Sequence, residues 1–208
     1  MLTLHHLSDS RSQRTLWLLE ELGLPYRLVR YQRVPETMAA PPEMKALHPI
    51  GKAPILEDEG RRMVESGAIT QYILSRYGDG GLAPAPTGED YMRYLELLEI
   101  GVASGMTPVL LSVYARMAGL PTGELDAAAE REYALVLGYL ESILAHGPWL
   151  LGNRFSAADI QASFVPALAR FLGSIAAYPN IVAWLERLEA RPAFRATIEK
   201  GGPFIYVG

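Results

Sequence analysis

The chain has 208 residues, half of them hydrophobic, with 23 acidic against 19 basic side chains and a net charge of −4. That is enough apolar material for one large domain or two small ones, and the acidic balance argues against an electrostatic nucleic-acid binder. There is no cysteine, which excludes disulfides, thiolate metal sites, cysteine nucleophiles and CxxC redox pairs. The four histidines show no metal-ligand spacing, and no apolar run approaches the roughly 20 residues of a membrane span. The opening MLTLHHLSDSRSQR carries no basic leader followed by an apolar stretch, so a cytoplasmic protein is expected.

Residues 2–7, LTLHHL, predict a buried strand on which His5 and His6 face opposite ways. Ser8-Asp9-Ser10 is turn and cap chemistry. Arg14 to Leu22 is apolar at helical spacing, and Gly23 with Pro25 stops it. Residues 26–31, YRLVRY, return as a strand, and this strand–helix–strand order predicts a parallel pair with a crossover helix. Residues 33–50 are irregular and proline-rich, with a short helix after Pro41-Pro42. Residues 54–57 and 61–64 flank Asp58-Glu59-Gly60, a hairpin signal. Ser66 to Tyr77 reads as a helix with Ser66 as its N-cap and Gly78 as its stop.

Residues 78–88, GDGGLAPAPTG, then break the pattern. Residues 89–118 are helical with Pro108 inside, so a kink or break is expected near Gly105–Pro108. Further helices are predicted over 124–146, 156–172, 179–190 and 192–200. Ser156 reads as an N-cap with Asp159 at N3, and Phe155 with Ile160 as a hydrophobic staple, which is a folding signal. The fold class is therefore α/β plus all-α, with a small domain over 1–79, a linker over 80–88 and a helical domain over 89–208.

Four places carry candidate chemistry. Ser10 and Ser12 precede the first helix, where free N–H groups, the positive dipole end and a hydroxyl all suit an anion. A thiol held there could be kept as thiolate; lowering its pKa by ~2 units takes ~2.7 kcal/mol of preferential stabilisation. Pro54 cannot donate to a sheet, so it belongs at a strand start, and a cis Ala53–Pro54 bond would turn both polar groups of Ala53 outward to pair with a bound peptide. Glu65 and Ser66 together suit the ammonium and carboxylate of an amino-acid end. Lys52, with His48, could neutralise a second carboxylate.

HPIGKAPIL, VESGAITQYILSRYG and GNRFSAADI, in this order across nearly the whole chain, resemble the cytosolic glutathione transferases. The resemblance implies a thioredoxin-like N-terminal domain, a C-terminal helical-bundle domain, a homodimer, a cis bond at Ala53–Pro54, and a role in detoxification. The co-substrate would be γ-Glu-Cys-Gly, with no metal. Its γ-glutamyl end would meet Glu65 and Ser66, its cysteinyl backbone Ala53, and its glycine carboxylate Lys52 and His48. HHLSDSRSQRTLWLLEELGLPY looks most like bacterial and fungal members with a serine-region active site. Counting back from Arg14, Ser10 fits the catalytic serine. Ser12 is the alternative, and backbone amides are a third.

The second substrate would be a small hydrophobic electrophile. Its expected lining is Leu7 and Ser8 of the first loop, with Met106, Val109, Leu110, Val113, Tyr114 and Met117 of the kinked helix. The tail, GGPFIYVG, would cover this pocket or pack on the second domain. Two other functions remain open at this point: a glutathione-dependent peroxidase or dehalogenase using the same thiolate, and a non-catalytic ligand-binding or interaction protein of the same fold.

Overall fold

The computed structural model describes residues 1–173 and 175–203. Its elements are β1 (Leu2–Leu7), α1 (Ser12–Glu21), β2 (Tyr26–Tyr31), α2 (Glu43–Leu47), β3 (Ile55–Asp58), β4 (Arg61–Met63) and α3 (Ser66–Tyr77), followed by seven more helices. The chain divides into two units: Met1–Asp79 together with the chain from Glu189 onward, and Gly80–Leu188.

In the first unit one sheet runs in the order β2-β1-β3-β4. β1 and β2 are parallel, from Leu2↔Tyr26 to Leu7↔Tyr31, and the β3–β4 hairpin adds antiparallel. All six side chains of β1 are buried. Because successive side chains alternate, the strand needs cover on both faces. Leu7 packs with Met44 of α2 and with Ala53 and Ile55. His6, on the opposite face, meets α1 and the end of α10 (Pro192–Gly201).

α10 corrects the expected domain boundary, which grouped it with 89–208. It packs on α1: Trp17 and Phe194 meet edge-on at 4.9 Å between ring centroids, and Arg191 grips Glu21 with two bonds of 2.6 and 2.7 Å. A Cβ on Gly201 would stand 2.8 Å from Leu16 and 3.2 Å from the His6 ring, so only glycine lets the helix end approach this closely. Phe204–Gly208 of the tail lie outside the described residues.

The second unit holds α4 (Tyr91–Ile100), α5 (Met106–Met117), α6 (Gly123–Leu144), α7 (Ala157–Ala162), α8 (Phe164–Leu172) and all but the last residue of α9 (Pro179–Glu189). The expected break falls at Gly101–Gly105, and Pro108 sits in the first turn of α5, where a missing N–H costs no bond. The single helix expected over 156–172 is instead two. Pro166 has no N–H for the carbonyl of Ala162, and the chain turns at Ser163, whose hydroxyl donates to Ile160 O at 3.0 Å. The presumed linker is held rather than loose. Ala157 N–H donates to Leu82 O at 2.9 Å, and Arg154 Nη2 donates to the carbonyls of Gly80 and Ala83 at 2.6 and 2.7 Å.

Asp159 organises this unit. Its reciprocal capping box with Ser156 forms as expected, and it also accepts from Leu150 N–H at 2.9 Å and Trp184 Nε1–H at 3.0 Å. Burial pushes its carboxyl up to about 6 against these donors. Asp159→Asn places an amide donor against the N–H groups of Leu150 and Trp184 or of Ser156, none of which can accept. It should lower the unfolding free energy by about 3 kcal/mol, as measured by urea denaturation.

Candidate active site

β1 ends at Leu7 and releases the turn Ser8-Asp9-Ser10 ahead of α1. Ser10 is half-buried; its Oγ accepts Ser12 N–H at 3.1 Å and lies 2.8 Å from Leu7 O. Ser12 is different. It is fully buried, and its hydroxyl is engaged by Leu7 N–H at 3.1 Å, His6 Nδ1 at 2.9 Å and Ser10 Oγ at 2.7 Å. The Ser12 hydroxyl is thus enclosed by protein groups, while Ser10 is the more open of the two serines.

The proton order in this chain follows from donors and acceptors. His6 Nε2 lies 3.1 Å from the carbonyl of Gly201, which can only accept, so Nε2 carries the hydrogen. Burial drives the His6 pKa down to about 4, so the ring is neutral near pH 7 and Nδ1 must accept from Ser12. Ser12 then stands toward Ser10 as an acceptor. His6 is thus part of the support of Ser10, a role the sequence reading did not assign.

Arg33 was also missed. Its Nε donates to Ser8 O at 3.0 Å, its Nη2 to Asp9 O at 2.6 Å and its Nη1 to Met38 O at 2.7 Å. The signal lies in the topology. With β1 and β2 parallel and paired through Leu7↔Tyr31, the residues after one strand lie beside those after the other, and Ser8 N–H donates to Tyr31 O at 3.1 Å.

The Ala53–Pro54 peptide is cis. Ala53 is seated by the Leu7, Met44 and Ile55 cluster. Neither its N–H nor its C=O takes part in a turn or loop bond among the described residues. Lys52 beside it is exposed, and His48 is half-buried with Nδ1 accepting Ile50 N–H at 3.3 Å.

Ser66 is not the N-cap of α3. Glu65 is, with φ 75° and ψ 107°, and its carbonyl accepts Ile69 N–H at 2.8 Å. Ser66 is the first helical residue, so its N–H belongs to the unpaired donors of a helix start. Its side chain is 2% exposed, and its hydroxyl has no partner among the described residues. Burying an unsatisfied hydroxyl costs about 1–3 kcal/mol, a cost that an acceptor from a ligand would remove. Glu65 itself is exposed.

The family model "Glutathione S-transferase, N-terminal domain" matches residues 1–75, and "Glutathione S-transferase, C-terminal domain" matches 102–192. "Glutathione S-transferase 3" of Schizosaccharomyces pombe is 34% identical over 218 residues, covering 96% of this chain and 88% of the relative. The chain belongs to the glutathione S-transferase family. A crystal structure of a glutathione S-transferase from Actinobacillus pleuropneumoniae is 36% identical with a TM-score of 0.90, covering 99% of this chain and 95% of the other. A glutathione transferase homolog from Sulfitobacter with bound glutathione is 25% identical with a TM-score of 0.76, covering 97% and 98%.

The apolar lining expected for a transferase's electrophile divides in two. Leu7 is committed to the core of the first unit, while Ser8 is half-buried. α5 packs on α6 and α8, and Met106, Val109 and Val113 are buried, so these three serve packing. Leu110 is half-buried, and Tyr114 and Met117 are about half exposed, at 54% and 51%; these remain open to a ligand. Helical spacing identifies the stripe but not which edge of it meets a neighbouring helix.

His6 gives this transferase fold a pH dependence. Its folded pKa of about 4 lies below its ordinary value of 6.5, so the unfolded chain binds the extra proton between the two. Stability from this group is therefore complete above pH 6.5 and is lost as pH falls toward 4. In His6→Gln, the difference in unfolding free energy between pH 7 and pH 4.5 should shrink relative to wild type, as read by urea denaturation at both pH values.

Proposed function

We propose that the chain is a glutathione transferase that holds the thiol of γ-Glu-Cys-Gly as thiolate at Ser10 for attack on an apolar electrophile. The observation that carries the binding half is Ser66. A buried hydroxyl without a partner, beside the free N–H of a helix start, suits the carboxylate of the γ-glutamyl end. Exposed Glu65 takes the ammonium of the same end. The polar groups of Ala53 pair with the cysteinyl backbone in the antiparallel sense, and Lys52 with His48 receives the glycine carboxylate. The comparisons favour neither the peroxidase or dehalogenase reading nor the non-catalytic one.

The sulfur then sits at the Ser8–Ser10 turn. On binding, Ser10 turns its single hydrogen away from Leu7 O and Ser12 Oγ to the thiolate, while its oxygen accepts Ser12 N–H and so keeps its place. The thiolate gives its electron pair to the electrophilic carbon, a sulfur–carbon bond forms, and the leaving group departs with the pair of the bond that breaks. Beyond thiolate supply, the enzyme contributes proximity. Leu110, Tyr114 and Met117 are the proposed apolar contacts, the thioether being adaptable to varied shapes. As in its family, the protein is proposed to act as a homodimer in the cytoplasm, in detoxification. A sedimenting species of 22.9 kDa at micromolar concentration would overturn the dimer.

Two substitutions test the site. Ser66→Ala removes a hydroxyl that has no bond to lose, so urea stability should hold or rise. The KM for glutathione should rise about tenfold, as steady-state kinetics would measure. Ser10→Ala should move the pKa of bound glutathione, followed by ultraviolet thiolate absorbance, up toward the free-thiol value of about 8.5. A bound pKa unchanged by Ser10→Ala would transfer the role to backbone amides.

A further inference from the structure

Arg33 spends three of its donors on main-chain carbonyls, and two of these belong to consecutive peptides. The carbonyl of Ser8 shares a peptide with the N–H of Asp9, and the carbonyl of Asp9 shares one with the N–H of Ser10. A guanidinium 3.0 and 2.6 Å from these oxygens draws electron density along both amides. The N–H groups at the far ends become stronger donors. Among the described residues, Ser10 N–H has no acceptor. The turn places Asp9 at φ 49°, in the left-handed region that few residues other than glycine, asparagine and aspartate adopt readily. The third bond, from Nη1 to Met38 O, anchors the guanidinium to the 34–39 loop, so its fork is held on both sides.

We propose that Arg33 is a positioning residue of the transferase reaction: it holds the Ser8–Ser10 turn and polarises its two peptides, so that the amide of Ser10 faces a thiolate as a strengthened donor beside the Ser10 hydroxyl. This rests on the reading of Ser10 as the sulfur contact. Charged groups near this end of the sheet include Arg30 and Asp9, which act on the neutral His6, and Arg11, which acts on Arg14. All of them stay in place when Arg33 is changed.

The test is the pKa of bound glutathione by thiolate absorbance, in wild type, Arg33→Gln, Arg33→Lys and Ser10→Ala. Circular dichroism checks that each variant is folded; Arg33→Met, which keeps the apolar stem, replaces Arg33→Gln if that variant is not. Arg33→Gln should raise the bound pKa by about one unit, with roughly tenfold less thiolate below it. Arg33→Lys keeps the charge without the fork and should recover at least half of that shift. A purely structural role would weaken glutathione binding and leave the bound pKa where it was; that result overturns the proposal. So does an equal shift in the lysine and glutamine variants, because charge would then not be the cause. If Ser10→Ala moves the pKa and Arg33→Gln does not, only this inference falls. If Arg33→Gln moves it and Ser10→Ala does not, the Ser10 hydroxyl reading falls and the polarised amides stand.

Discussion

A strand with six buried side chains must be covered on both faces, and this requirement of β1 arranges the first unit. Even-numbered side chains reach toward α1 and α10, as His6 does, and odd-numbered ones toward α2, as Leu7 does. The chain leaving the strand has to emerge between these two layers. That is where Ser10 lies, with His6 supporting it from one side through Ser12 and the Leu7 cluster seating Ala53 on the other. Pairing β1 with β2 in parallel then brings Arg33 to the same end.

The chemistry of the site rests on oriented dipoles more than on net charge. The chain is acidic overall, yet the groups beside the proposed sulfur position are hydroxyls and peptide N–H groups, backed by a neutral imidazole, and the charge of Arg33 bears on them through the carbonyls of Ser8 and Asp9. Such groups cost little to bury when each has a partner, and they need little reorganisation when an anion arrives. Ser66 departs from this rule, being buried at a helix start with no hydroxyl partner among the described residues, and that departure supports the proposed ligand contact. Ser156 is the contrast: also buried, also at a helix start, and fully engaged with Asp159.

Much of the fold was legible from local chemistry. The strand at 2–7, the hairpin across Asp58-Glu59-Gly60 and the capping box at Ser156 each depend on residues a few positions apart. Properties that need distant partners were not legible. α10 reads as a helix with an apolar stripe, but nothing in that stripe says that it belongs to α1. Ser66 has N-cap chemistry, and only the backbone of Glu65, in a conformation unusual for its side chain, moves the cap one residue back. Ser10 and Ser12 are alike in sequence, and only burial separates them. Arg33 sits in a stretch with no periodicity, so its role becomes visible once the strand pairing is known.

The closing of α10 over β1 has a consequence for how the protein is made. The carbonyl that fixes the His6 tautomer belongs to Gly201, 195 residues downstream. During synthesis, His6 leaves the ribosome long before its partner exists, and Trp17 waits almost as long for Phe194. Part of the cover of the first unit is therefore made only after the whole of Gly80–Leu188 has been synthesised, and until then the α1 face waits uncovered.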